Sequence, residues 1–254
     1  MFALASTVMG AAACGGGGDP AGTAPPPGGT ATPAPATDTA DGPGVITGTI
    51  TISGQAPAPR PVRMDSDPLC KPAAGVATSE ALLVGPGNGL QNVFVYVKDG
   101  LGSRTYAPPA TPVALDQKGC RYVPHVLGAQ VGQTVNISNS DATLHNVHAV
   151  PASNREFNFG QPATVPPAPR VFDKPEVMVP FRCDVHSWMN AYLGVLAHPF
   201  FAVTPADGTF EIKGLSPGSY TIEAWHEQLG TQTLPVMVDG KTPTKASFAF
   251  KSTT

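Results

Sequence analysis

Four donor side chains constrain this chain more than any other feature. Cys183-Asp184-Val185-His186-Ser187-Trp188-Met189 lines up a thiolate, an imidazole and a thioether within seven residues, three ligands of different softness. Some forty residues upstream, Val131 to Asn139 reads as a turn followed by a strand, and the His145 of Leu144-His145-Asn146-Val147-His148 stands at that strand's exit as a fourth donor. A fold that uses all four must bring distant strand ends side by side.

The donor types narrow the metal. One Cys sulfur and two imidazoles in a near-trigonal arrangement, with a long weak axial bond to a Met, suit a type 1 (blue) copper centre. A structural zinc site would take four strong ligands and has no comparable use for the thioether. A dinuclear copper site would want a second Cys in the loop, and this loop has none. The residues therefore point to one mononuclear copper held by His145, Cys183, His186 and Met189.

His145-Asn146-Val147-His148 and the Cys-two-residues-His-two-residues-Met loop resemble the small cupredoxins, amicyanin in particular, over roughly residues 111 to 200. The resemblance implies a Greek-key β-barrel or sandwich, with the ligands at the four positions just named. His148 matches a family histidine that does not bind the metal. Asn146 and the strand leading to Cys183 would brace the loop, since hydrogen bonds near a thiolate tune its potential. Ser187 stands where such loops usually carry Pro, and it would add a hydrogen bond toward the thiolate or loosen the loop.

The chain has 254 residues, 41% of them apolar and 13% charged, enough for two modest cores. A net charge of -3 without clustered Lys and Arg argues against nucleic acid. Residues 1–13 form an apolar run ending in small residues ahead of Cys14. This reads as a lipoprotein-type export signal that makes Cys14 the lipidated residue, although the run lacks the basic start such signals carry. Residues 14–44 are nearly all Gly, Pro, Ala and Thr and read as a tether that cannot bury a core. Nothing approaches twenty apolar residues in a row, so membrane contact is expected only through the lipid.

Folded structure is expected from Val45, where Ile46, Ile50 and Ile52 share one face at period two. Residues 92–98 alternate again and stop at Asp99-Gly100. Strands are expected over 113–117, within 120–130, over 175–182, delivering Cys183, and over 192–196. Phe157, Phe159 and Phe172 read as core, and Pro162 to Pro169 as a loop. Beyond residue 200, Asp207-Gly208 reads as a hairpin turn and Pro217-Gly218 joins two alternating strands. Two more strands follow, near 233–238 and 246–250.

The stretch DGTFEIKGLSPGSYTIEAWHE resembles the carboxypeptidase regulatory-like domain, a transthyretin-like β-sandwich. Its opening strands match residues 45–54 and 91–98, which implies a split domain over 45–110 and 201–252 with the copper domain at 111–200 inserted; three consecutive β units are the alternative. The expected fold class is all-β throughout.

With Cys14 given to a lipid and Cys183 to the metal, Cys70 and Cys120 remain, as a disulfide in an oxidising compartment or as two buried thiols. Closing so long a loop would contribute roughly 4 kcal/mol in the chain-entropy picture. His125, His198 and His226 read as structural, and Glu223, His226 and Glu227 as surface or turn contacts. No catalytic constellation stands out, so an enzyme is not expected. The expected function is an exported electron carrier, periplasmic or at the cell surface. His186 would lie near the domain surface, and Trp188 and Met189 would form a patch for transient redox partners. The alternative is a non-redox module binding a glycan or protein, with a structural or copper-storage site.

Overall fold

The structure is a computed structural model that describes residues 41–70 and 76–252; the export signal, Cys14 and most of the tether lie outside the described residues. Two strands come first, β1 (Gly44–Ser53) and β2 (Phe94–Asp99). Nine follow: β3 (Val113–Gln117), β4 (Tyr122–Val123), β5 (Val126–Gln130), β6 (Thr134–Asn139), β7 (His145–Ala149), β8 (Phe157–Gln161), β9 (Ala168–Val171), β10 (Glu176–Arg182) and β11 (Asn190–Leu196). The chain closes with β12 (Phe201–Val203), β13 (Thr209–Leu215), β14 (Gly218–His226), β15 (Gly230–Val238), β16 (Thr244–Lys245) and β17 (Phe248–Lys251). No α-helix occurs among the described residues, and none of their helical turns could cross a membrane. The protein is all-β.

Strands β3 to β11 build two sheets, ordered β5-β11-β10-β7-β8 and β4-β3-β6-β9. Their inner faces enclose one core, with Leu115, Val135 and Ile137 from the second sheet against Val147, Val179, Phe181, Leu193 and Val195 from the first. Period-two alternation drives this, because each strand turns one row of apolar residues inward. The remaining strands form the sheets β13-β1-β16, with β17 also on β1, and β12-β2-β14-β15. Ile46, Ile50 and Ile52 of β1 meet Val95 and Val97 of β2 and Ile222 of β14 in a second core. The chain thus leaves this sandwich after β2 and rejoins it at β12, with β1 paired to β13 and β17 and β2 to β12 and β14.

Strand β2 is buried on both faces. Its valines face the second core, while Phe94 and Tyr96 join Val126, Met178 and Leu196 in a third cluster between the sandwiches. Gly128 and Gly194 are register partners in the parallel β5–β11 pair. A Cβ on Gly128 would fall 2.2 Å from the Phe201 ring, and one on Gly194 would fall 2.4 Å from the Phe94 ring. The paired glycines make the notch that admits two stacked rings, 5.5 Å apart.

Several expectations need correction. The end of the tether is docked: the Asp41 and Gly42 N–H groups donate to Gly214 O, and β1 already begins at Gly44. Asp41 also accepts from Arg104 and the Tyr106 hydroxyl, which gives this Gly-rich entry fixed partners. Residues 62–70 and Ala77, placed with the outer sandwich from sequence, instead lie against the first core, with Met64 and Cys70 buried in it. Asp207-Gly208 is a tight turn but not a hairpin, because β12 and β13 lie in different sheets, while Pro217-Gly218 joins strands β13 and β14 as expected, although these too lie in different sheets. Pro169 belongs to β9, an edge strand beside β6, where its missing N–H can be tolerated. Phe172 is core, whereas Phe157 and Phe159 are half-buried under the Arg170 guanidinium, 5.0 and 4.4 Å from their ring centres.

Candidate metal centre

β7 and β10 lie side by side, with Arg182 opposite His148 and Phe181 opposite Ala149. This brings Cys183, just past β10, beside the start of β7. His145 opens β7 rather than closing β6, because a turn over 140–144 separates the two strands. Along β7, His145, Val147 and Ala149 point inward while Asn146 and His148 alternate outward. The three-residue spacing therefore sends the two histidines to opposite faces. His148 holds Asp184 and Glu156, and Glu156 first, then Asp184, raises its pKa.

The loop from Cys183 to Met189 closes on itself. Cys183 N–H donates to Met189 O at 3.2 Å, and Met189 N–H donates to His186 O at 2.9 Å. Cys183 is the free thiol among the described residues, 3% exposed. Its sulfur accepts the backbone N–H groups of Asn146 and His186, each at 3.4 Å. The Asn146 side chain holds the Asp184 N–H at 3.0 Å. Ser187 is exposed, and the two N–H groups bonded to the sulfur belong to Asn146 and His186, so of its two alternatives the bond toward the thiolate is not among the described hydrogen bonds.

His145, Cys183 and His186 converge, with one ligand atom from each within 4.8 Å of the others. His145 Nδ1 is 2.9 Å from His186 Nδ1, which is 3.8 Å from Cys183 Sγ. Met189 is buried in the same core as Cys183, tied into the loop by its main chain. Behind each ring stands a carboxylate. Asp141 Oδ2 lies 2.8 Å from His145 Nε2, and Asp67 Oδ2 lies 3.1 Å from His186 Nε2. Asp141 is fixed by N–H groups of Gly119 and Cys120, and Asp67 by the Leu69 N–H and the Thr143 hydroxyl. The bond from Leu69, then that from Thr143, lowers the Asp67 pKa. Burial lowers that of His145 against the opposing pull of Asp141.

This arrangement tests the donor set. A carboxylate at each Nε2 favours the tautomer protonated there, which leaves both Nδ1 atoms with lone pairs. Two such lone pairs at 2.9 Å beside a buried sulfur repel one another unless a cation lies among them. The residues fit a thiophilic metal ion with two nitrogen ligands and one sulfur ligand.

Sequence reasoning missed Asp67, Asp141 and Tyr122. Buried Tyr122 places its hydroxyl 2.6 Å from Asn146 O and 2.9 Å from Arg182 O, pinning β7 to β10 next to His145 and Cys183. No local pattern marks these residues, since each acts through a distant partner. His186, expected near the surface, is 2% exposed. Asp67 and Cys70 cover its Nε2 edge, Cys70 Sγ lying 3.7 Å away. Met189 is equally buried, so it offers no docking patch. Trp188, half-buried, packs 5.0 Å from the His186 ring, bonds Cys120 O, and lines a cleft of about 600 Å³ with Arg121 and Arg182. Cys70 and Cys120 form a disulfide.

The other histidines hold structure. His125 bridges Asn190 O and Glu227 Oε1, joining the two sandwiches. Glu223 is buried, not at the surface, and takes the Tyr96 hydroxyl and Lys98. Burial lowers the pKa of His198 and of His226 from 6.5 to about 4. Nδ1 of each accepts backbone N–H, so each ring is held neutral. Between about pH 6.5 and 4 the unfolded chain binds protons that these folded rings refuse, so stability falls as pH drops through that window. The ceiling is roughly 1.4 kcal/mol per pH unit for each ring. Urea unfolding of the metal-free protein should give a lower midpoint at acid pH, with less of a fall in a His198→Gln, His226→Gln chain. An equal fall in both chains would refute this.

Fold and side chains together define an all-β protein with a buried site of one thiol and two imidazoles. No protein-family model matches the chain, and no curated protein matches it. Among solved structures it is similar to a Cu-containing nitrite reductase from Thermus scotoductus, with 21% identity and a TM-score of 0.31 over 38% of this chain. It spans about a quarter of that protein's length, 24%. It is also similar to a purple cupredoxin from Nitrosopumilus maritimus, with 20% identity and a TM-score of 0.28 over 33% of this chain and 98% of that one. A reduced amicyanin mutant matches with 20% identity and a TM-score of 0.30, over 40% of this chain and 97% of that one.

Proposed function

We propose that this protein binds one copper ion, which His145, Cys183 and His186 would hold with the Met189 thioether as a weaker donor, and carries electrons rather than catalysing a reaction. The observation that carries this reading is the meeting of two carboxylate-backed imidazoles, Nδ1 to Nδ1 at 2.9 Å, beside a buried thiol. Bound copper would supply one-electron redox chemistry. The protein supplies rigidity. Two backbone N–H groups steady the thiolate charge, the closed loop fixes His186 and Met189, and Tyr122 pins the strands that deliver the other ligands. Such a prebuilt site rearranges little when its charge changes. Transient redox partners would approach at the cleft beside Trp188. The sequence features of residues 1–44 support export and a lipid anchor at Cys14, with the outer sandwich as a carboxypeptidase regulatory-like spacer.

One observation favours a second reading, copper storage or a structural metal. The His186 edge that a carrier would expose is covered by Asp67 and Cys70. Titrating the metal-free protein with Cu(II) tests the first. The expected result is uptake of one equivalent with an intense visible thiolate-to-copper band, and reversible one-electron reduction. A colourless complex would overturn it, and a coloured complex that exchanges no electrons would favour storage.

A further inference from the structure

Asp67 belongs to a segment with no strand of its own, yet its carboxylate reaches a ligand histidine 119 residues away. Two anchors hold that segment on the first core. Met64 and Cys70 are 5% and 3% exposed within it, and Cys70 is bonded to Cys120. The carboxylate itself divides its work. Oδ1 accepts the Leu69 N–H at 2.8 Å, while Oδ2 takes both the Thr143 hydroxyl at 2.8 Å and His186 Nε2 at 3.1 Å. A mere turn-capping aspartate would need only the first of these bonds.

The other end of the disulfide does the matching task. Cys120 and Gly119 donate their N–H groups to Asp141, whose Oδ2 lies 2.8 Å from His145 Nε2. One covalent bond therefore joins the supports of both carboxylates that back the two imidazoles.

We propose that Asp67 and Asp141 are positioning residues for the metal, framed by the Cys70–Cys120 disulfide, and that Asp67 stabilises the more highly charged state of the site through His186. The inference rests on the copper reading above. A carboxylate that accepts from a ligand's far nitrogen fixes the ring's tautomer and orientation and raises its basicity. That added donor strength favours Cu(II) over Cu(I), so Asp67 holds the midpoint potential down. The same carboxylate closes the imidazole edge to solvent.

The experiment compares the full chain with its Asp67→Asn, Thr143→Val and Cys70→Ser/Cys120→Ser variants. It reads Cu(II) and Cu(I) affinities by chelator competition, the midpoint potential, and the His186 tautomer by nitrogen NMR of the Cu(I) form. Asp67→Asn should weaken Cu(II) binding roughly 10- to 100-fold and Cu(I) binding less. Each tenfold loss of preference for Cu(II) raises the potential by about 59 mV. The double serine variant should shift the potential in the same direction, and Thr143→Val should do so by less. Should Asp67→Asn fail to fold, Thr143→Val still reads the carboxylate's placement through the potential. A blue protein whose potential and Cu(II) preference do not move in the folded variants overturns this inference and leaves the copper reading intact. A parent protein that binds no copper overturns the copper reading itself.

Discussion

A Cys183→Ser chain titrated with Cu(II) should stay colourless, while the parent is expected to turn intensely coloured. The colour needs an anionic sulfur bound to the metal. Serine's hydroxyl is harder and stays protonated, so it cannot replace a soft thiolate in a site of this type. The substitution is close to isosteric, and the Asn146 and His186 N–H groups that point at the sulfur keep an oxygen acceptor nearby. The metal-free fold should therefore lose only about 1 kcal/mol. That separates a ligand role from a packing role: absorption and spin resonance change completely while the denaturant midpoint hardly moves. A band that survives in the serine variant would show that the thiolate is not the ligand.

Phe181→Ala carries the largest expected loss of stability. The ring is 0% exposed, with ring centres of Tyr122, Phe157 and Phe172 at 6.3, 6.1 and 6.3 Å. Its strand is hydrogen-bonded on both sides, to Ala149 of β7 and Ala191 of β11, so the site cannot collapse to refill the space. Such a truncation costs about 3–5 kcal/mol. Cys183 follows two residues later, so the cavity should also loosen the sulfur and broaden the copper spin-resonance signal. Guanidinium unfolding measures the first effect. A loss below about 1 kcal/mol would mean the ring is not the centre of this core.

Much of the site was legible because its rules are local. The Cys-His-Met spacing places three donors on one short loop. The all-β class was legible for the same reason, from the period-two rows of β1, β13 and β14. From sequence, His148 was set apart from the ligands only by the family resemblance; its turning away from His145 follows from strand β7, which the structure supplied.

Other features were not local. Asp207-Gly208 and Pro217-Gly218 carry strong turn chemistry, but turn residues fix a reversal and not the partner beyond it, so both turns change sheets. Phe94 and Tyr96 look like one face of an ordinary strand until a second sandwich packs on them. His186 sits in a loop that would be expected at the surface, and a disulfide-anchored segment from before residue 71 covers its Nε2 edge.

The sequence by itself determined the candidate donor side chains and which rows of side chains turn inward, because both depend on spacing along a few residues. Only the tertiary structure decided between a split sandwich and three consecutive β units, by pairing β1 with β13 and β17, and showed that Gly128 and Gly194 make room for two rings and that Asp67 and Asp141 stand behind His186 and His145. The physical reason is that a hydrogen bond or a close contact depends on distance in space, and a single chain does not encode that distance in any short window.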